Sequence, residues 1–523
     1  MKRTENLNLP IYDNPESDIF KINDVNNAHE TIDKQYKELK NIKETVESTN
    51  PSANLQGQIN DINASLDNII QHSFNSSKTY SVENLNSLEL QSVINSMNNN
   101  DTLIMNGVFI INESVIISKD INIIGNNSIL VTNKEGLECT FIFNNCSFNI
   151  KNLKFDQNLK GRTSIDMVNC NNFIIEKCSF TGYSKEFGYY QTDGGIRIAN
   201  SKFGKITECT WLNHGNQYDT TTENLNRCVT IQASSNFITL NNNTFTSVNQ
   251  GIVIASGNSN KIVNNDFYDV KDNAIYVVDD IEGLIISKNN FIDLKDEAIV
   301  LKGNNIIIDC NNFTNIVNNV IAFCGGTKNC KIINNNITGG NFIKQRAEYP
   351  DDVQTNLIIK NNIAKTGNVY AMVQITKAEN CIIADNTLEC NISTAYRYII
   401  KFESTTSAKI YNNELINNGT AQENTYAIFL PTSFTKGFIQ NNNTKGCRIK
   451  DESLNADIIN QTLTSSNYMY GGTMNIINGA GSPESVLKCK KGTLFARTDT
   501  STDYSLYVKT TDKNVNTGWV KIY

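Results

Sequence analysis

Ile238-Thr-Leu-Asn-Asn-Asn-Thr-Phe245, Ile262-Val-Asn-Asn-Asp-Phe267, Ile285-Ile-Ser-Lys-Asn-Asn-Phe291 and Ile307-Ile-Asp-Cys-Asn-Asn-Phe313 repeat one phrase. It consists of an apolar pair, one or two asparagines, one further residue and a large apolar anchor. The anchors continue at Ile337, Ile363, Leu388 and Leu415, and weaker copies stand at Phe148, Phe180 and Trp211. Repeats at spacings of this size mark a solenoid. The runs between corners are short and β-like, with no helical period, so each repeat reads as one turn of a parallel β-helix. Two residues before each anchor stand Cys146, Cys178 and Cys209, then Asn243, Asn265, Asn289, Asn311, Asn335, Asn361, Asn386 and Asn413. Stacked coils bring such equivalents about 4.8 Å apart. Asparagine tolerates the left-handed conformation of a sharp corner, and its amide can bond the amides above and below. The column is therefore read as structural rather than as a row of sugar ligands.

Composition agrees with this reading. The chain has 523 residues, 6 prolines, 29 glycines and a net charge of -7, which excludes collagen-like sequence and disfavours a nucleic-acid partner. No apolar run reaches the length of a membrane span, so no membrane insertion is expected, and the first residues lack a signal-peptide core. Thirteen cysteines are scattered with no CxxC pair. Several (Cys146, Cys178, Cys209, Cys310) fall at inward or ladder positions, as free thiols made in a reducing cytoplasm would. His29, His72 and His214 lie far apart, so no metal site is expected, and no cofactor motif is present.

The flanks are written differently. Ile22, Val25, His29, Ile32, Tyr36, Leu39, Lys43 and Val46 form a heptad seam. After Pro51 a second seam runs through Leu55, Ile59, Ile62, Leu66 and Ile69. Helices bundling between chains fit so narrow a seam, and a hairpin within one chain is the alternative. Leu85, Leu88, Leu90, Val93, Ile94 and Met97 then predict a short amphipathic helix, followed by strands around Gly107-Val-Phe-Ile-Ile111 and Ile121-Asn-Ile-Ile-Gly125. The expected organisation is an arm over 1–20, a helical coiled-coil region over 21–78, and a capping helix with the first coils over 79–132. The β-helix body covers 133–465 and a small C-terminal β module 466–523.

The helix and strands that open the coil resemble the start of pectate-lyase-like β-helices, in which a helix caps the first coil. Gly481-Ser-Pro-Glu484, Gly492-Thr-Leu-Phe-Ala-Arg-Thr-Asp499, Leu506-Tyr-Val-Lys509 and Asn516-Thr-Gly-Trp519 resemble, in that order, the C-terminal module of many bacteriophage tailspikes and tail fibres. With the heptads and the coil phrase, the chain resembles a phage tailspike along most of its length. The resemblance implies an all-β fold, a right-handed parallel β-helix in a homotrimer. It also implies a place on the virion, with synthesis in the bacterial cytoplasm and an N-terminus docked on phage tail or baseplate proteins. The partner it implies is a bacterial cell-surface glycan. The abundance of Asn, Ile and Lys hints at an AT-rich genome, in keeping with wall teichoic acid, capsule or exopolysaccharide as the receptor.

Two places could carry cleavage chemistry, which for glycosides needs two carboxylates about 5 to 9.5 Å apart. The first is a pair of long insertions on adjacent coils, carrying Tyr183, Tyr189, Tyr190, Asp193 and Arg197, then His214, Tyr218, Asp219 and Glu223. Insertions on neighbouring coils project on one side. Tyr189, Tyr190, Arg197, His214 and Tyr218 are read as glycan contacts, with packing of the loops as the alternative. Asp193, Asp219 and Glu223 are the preferred acid and base. Asp193-Gly-Gly-Ile-Arg197 resembles the Asp-Gly-Ile element of several β-helix carbohydrate enzymes. The second place is the stacked pair Asp272 and Asp296, with Glu297 beside it, where like charges would raise one pKa. Its alternative is a solvated turn paired with Lys271 and Lys295. A further insertion, Arg346 to Asp352, forms a separate surface. A depolymerase, a pure adhesin and a structural spike all remain open at this stage.

Overall fold

A computed structural model of the chain describes residues 77–522 apart from 184–193, 214–225, 347, 350, 405–406, 421–423, 454–455, 464–468, 471–472, 480, 486–490, 498–504 and 512–514. It also describes residues 2–3, 10–11 and 37. The chain is a parallel β-solenoid in which each coil lays one short strand on each of three sheets. In one coil these are Ile285–Ser287 on the first sheet, Asn290–Ile292 on the second and Ile299–Asn304 on the third. The next coil repeats them in register, with Ile286 on Ile308, Phe291 on Phe313 and Ile299 on Ile321. The heptad seams over residues 22–69 lie outside the described residues.

The anchors form the stack that their spacing predicts. Phe155, Phe180, Trp211, Phe245, Phe267, Phe291 and Phe313 lie ring on ring, with centroids 4.6–5.1 Å apart and planes within 12° of parallel. All are buried. In the first coils the anchor differs from its reading: Phe155, not Phe148, pairs with Phe180. Phe148 instead stacks on Phe173, at 5.5 Å, which removes Cys146 from the ladder column.

The asparagine ladder is continuous. Asn289 Nδ2 donates to Asn311 Oδ1 at 3.0 Å and to the Ile262 carbonyl at 2.9 Å, while Asn289 Oδ1 accepts from Asn265 Nδ2 and from the Asn265 backbone N–H. The same contacts run from Asn243 to Asn442, and Asn243 Oδ1 also accepts the Cys209 N–H. In the coil of Ile363 the reading is out by one residue. Asn362 holds the ladder bonds, Asn361 turns left-handed at φ 56°, Ile363 faces solvent and Ala364 fills the anchor place. Asn442 escaped the reading because its anchor position holds Thr444, which is not apolar.

The left-handed turn and the ladder bond belong to different residues. Lys177, Glu208, Asn242, Asn264, Lys288, Cys310, Asn334, Asn361, Asp385, Asn412 and Asn441 have φ of 52–56°, each just before a ladder position. A left-handed non-glycine residue costs roughly 1–2 kcal/mol. The ladder residue that follows satisfies backbone groups a buried corner would otherwise strand. Cys310, expected inside, is exposed on this turn. The other cysteines among the described residues are buried free thiols.

The first coil is closed by a helix, Ser87–Ser96. Asn86 and Glu89 form a reciprocal capping box, and Leu90 and Ile94 are buried. The Gln91 side-chain amide accepts from the Ile116 N–H at 2.7 Å and donates to the Ile116 carbonyl at 2.9 Å. It thereby supplies the partner that the exposed edge strand Val115–Ile117 lacks. Lys119 Nζ covers the helix C-terminal carbonyls of Asn95 and Met97. At the other end Leu494–Arg497, Leu506–Lys509 and Trp519–Lys521 pair antiparallel, with Phe495 and Trp519 buried. Glu484 accepts the Gly518 and Trp519 N–H groups and ties the Gly481–Glu484 segment to this meander.

Replacing Asn289 by Leu strands the Asn265 N–H and the Ile262 carbonyl in a buried corner, so Asn289→Leu should lower stability by about 1–3 kcal/mol in denaturant titration. An unchanged midpoint would show that the ladder amides do not hold the coils.

Candidate functional site

The corner between the second and third sheets is the place where coils depart from one another. Both long insertions leave there: the first between Ser179–Thr181 and Gly194–Ala199, the second between Thr210–Leu212 and Arg227–Gln232. Asp272 and Asp296 occupy the same corner two and three coils beyond the second insertion, roughly 10–14 Å along the stack. The two places that looked separate in the sequence are one edge of the scaffold.

Of the residues proposed for this edge, Tyr189, Tyr190, Asp193, His214, Tyr218, Asp219 and Glu223 lie outside the described residues. Arg197 projects from the third sheet, where its Nε donates to Asp166 Oδ1 at 2.7 Å on the preceding coil and its Nη2 pairs with Asp166 Oδ2. Tyr183 is buried, and its hydroxyl bonds Ser164, so it packs the first insertion onto the body.

The described part of the edge is built from acids, amides and two arginines. Gln250 Nε2 donates to Asp272 Oδ2 at 2.6 Å. Burial raises the Asp272 carboxyl above its ordinary range; the Gln250 bond and a hydrogen bond with the Asp296 carboxyl act against that, and the Glu297 charge adds to it. Asn318 Nδ2 donates to Asp296 Oδ1 at 2.7 Å. Glu297 is buried and accepts from Asn273, Asn319 and, at 2.9 Å, Arg346 Nη2. Burial alone would lower Arg346, but the Glu297 carboxylate outweighs it and holds the guanidinium pKa up. Burial lowers Arg227, against the pull of Tyr276 and Asp272.

Lys271 and Lys295 pair with Asp269, at 3.2 and 3.7 Å, rather than with Asp272 or Asp296. These two acids are thus not the solvated ion pairs that a charged turn would make. Among the described residues the buried acceptors Asn249 Oδ1 and Gln250 Oε1 have no hydrogen-bond partner. Arg346 reaches back two coils to Glu297. Sequence reasoning separated the Arg346 insertion from the acids because Glu297 and Arg346 are 49 positions apart in the chain. No group of residues suited to holding a metal ion occurs among the described residues.

Asp272 holds its proton more tightly in the folded chain than in the unfolded one. It therefore favours the fold below the unfolded pKa of about 3.9, and that contribution is lost as pH rises through the folded value. Asp272→Asn mimics the protonated form and removes the loss. The melting temperature of the variant relative to wild type should climb as pH rises above about 4. A difference independent of pH would show that Asp272 is not perturbed.

Residues 219–337 match the family model described as a right handed beta helix region. No curated protein matches the chain. Among solved structures, the tailspike of E. coli bacteriophage HK620 in complex with a pentasaccharide is 11% identical with a TM-score of 0.45, covering 68% of this chain and 72% of that one. DFA-IIIase of Arthrobacter chlorophenolicus is 11% identical with a TM-score of 0.38, covering 70% and 94%. PfbA, a surface adhesin of Streptococcus pneumoniae, is 12% identical with a TM-score of 0.37, covering 83% and 96%. The family match and the continuous three-sheet coil agree: this chain is a right-handed parallel β-helix protein.

Proposed function

We propose that the chain is a bacteriophage tailspike, a homotrimeric receptor-binding protein of the virion that engages a bacterial surface polysaccharide along the corner between the second and third sheets. The observation that carries the glycan site is the convergence on one rigid edge of two long insertions and a cluster of acids, amides and Arg346. A stack of coils held by a ladder cannot follow a ligand, so a polymer lying along it meets prearranged groups. The tailspike assignment rests on the ordered C-terminal pieces, the heptads and the capped coil. In this reading Tyr189, Tyr190, Arg197, His214 and Tyr218 contact the glycan. Asp193, Asp219 and Glu223 supply acid and base, with Asp272 and Asp296 as the alternative pair.

One observation favours a second reading, that of an adhesin without cleavage. Glu297 is neutralised by Arg346, while Asp272 accepts from Gln250 and Asp296 from Asn318, so each of these acids is already engaged within the chain.

Incubation of the purified protein with host wall polymers separates the readings. Cleavage predicts shortened chains, and loss of the true acid should cost about 10²–10⁴ in rate while cell adsorption survives. If Asp193→Ala, Asp219→Ala and Glu223→Ala all retain full cleavage and Asp272→Ala abolishes it, the acid–base pair is Asp272 and Asp296. Intact polymers that still bind the protein identify an adhesin. Assembly is tested by sedimentation: the full chain should run near three times 58.4 kDa. A monomer at micromolar concentration overturns the spike.

A further inference from the structure

The outer face of the first sheet changes character towards the end of the chain. One register line leads from Lys360, Ala384, Tyr411 and Gln440, through the strands Ala456–Leu463 and Thr473–Gly479, to Leu494, Val508 and Val520. In the coils this line and the one beside it mix charges and amides with apolar residues, at Lys331, Lys360, Lys409 and Gln440. In the terminal meander the mixture ends. Leu494, Val508 and Val520 stand opposite one another. Ala496 and Leu506 form the next row, which Ile522 completes by donating its N–H to the Leu506 carbonyl at 2.7 Å. All six side chains of this face are apolar, yet Val520 is 48% and Ile522 52% exposed, and the other four are half-buried.

The opposite face of the same three strands is already used. Phe495 and Trp519 are buried there in the continuous apolar core, with ring centroids 6.0 Å apart, and Tyr507 meets Phe495 edge to face at 6.1 Å. Lys509 Nζ lies 5.6 Å from the Trp519 ring and donates to the Thr517 carbonyl. An antiparallel sheet that packs one face on a core ordinarily turns polar residues outward on the other. This meander is apolar on its second face as well, as a layer inside a larger assembly is.

We infer that this face of the terminal meander, formed by Leu494, Ala496, Leu506, Val508, Val520 and Ile522, is a contact between copies of the chain. A glycan does not suit it, because none of the six side chains can bond a hydroxyl and saccharide sites fix their ligands through polar groups. A separate protein does not suit it either. Two rows on three strands cover roughly 200 Å², against about 800 Å² per partner in a stable complex of free molecules. Another copy meets a different condition. Copies joined along the rest of the chain hold their meanders at high effective concentration, where a small contact suffices. Interfaces between permanently associated copies are also the ones that resemble a core cut in half, without charge at the centre.

The inference rests on the homotrimer reading, and its test separates the two. Cross-linking of the full-length protein with a short bismaleimide, at submicromolar concentration, reads the contact directly. A Cys310→Ser, Cys489→Ser background removes the exposed thiol and the one outside the described residues. In it Val520→Cys should give covalent dimers. Lys521→Cys, also exposed but on the opposite face of the strand, should give about a tenth as much. Adding Ile522→Asp to Val520→Cys should cut the cross-link about tenfold at unchanged melting temperature, since the contact would bring like charges together. A trimer by sedimentation that lacks the Val520→Cys cross-link overturns the contact and leaves the spike standing. Equal cross-linking of Lys521→Cys overturns the assignment to this face. A lower melting temperature in Ile522→Asp with undiminished cross-linking assigns the cover of the face to a segment of the same chain and overturns the contact. A monomeric wild type overturns both readings.

Discussion

The amide-to-amide bond at the corner between the first and second sheets is the contact on which the rest depends. A parallel solenoid has no hairpins to set its register, so each coil must be told where to sit on the last. Asn265, Asn289 and Asn311 do this by accepting both a backbone N–H and a side-chain amide from the coil before and donating to its carbonyl. A slip of one residue would turn every anchor outward and break every bond at once. The phenylalanines alone would hold the coils less selectively, since stacking rings tolerate small shifts. The stack of amides makes the register discrete, and the rings supply most of the buried area.

This division explains where variation is allowed. The ladder corner keeps one fixed length from Asn243 to Asn442, whereas the corner between the second and third sheets runs from a few residues to the two long insertions. A corner that carries no register can be lengthened without moving the sheets. Chemistry collects there for that reason: the two insertions, Asp272, Asp296 and the Glu297–Arg346 pair all lie on it or reach to it. The outer face of the third sheet beside it is free of the ladder, and it carries first a small apolar strip of Val300, Ala322 and Cys324 and then the aromatic cluster of Tyr398, Tyr426 and Phe429.

The electrostatics follow burial more than net charge. Asp269, with two lysines near it, is held below its ordinary range although burial opposes this, while Asp272, three residues on, is pushed up. What separates them is which one the lysines reach and which one the sheet covers. Glu297, fully covered, is bonded to two amides and a guanidinium, the partners a buried acid needs.

The coil phrase determined the fold by itself, because a repeat that cannot bury its anchors alone has to stack, and corner amides at constant spacing allow one way of stacking. The capping helix and the apolar content of the terminal module were legible for the same local reason. Where the reading slipped, at Phe148, Asn361 and Cys310, adjacent residues of similar type competed for one place, and only the neighbouring coil could choose between them. The site was legible only in pieces. Two insertions, a pair of aspartates and an arginine far along the chain have no sequence signal that joins them, since a coil's corner is a position around an axis and not along the chain. The aromatic cluster of Tyr398, Tyr426 and Phe429 had no signal at all: its tyrosines lie about one coil apart in sequence and become neighbours only when the third sheet stacks them.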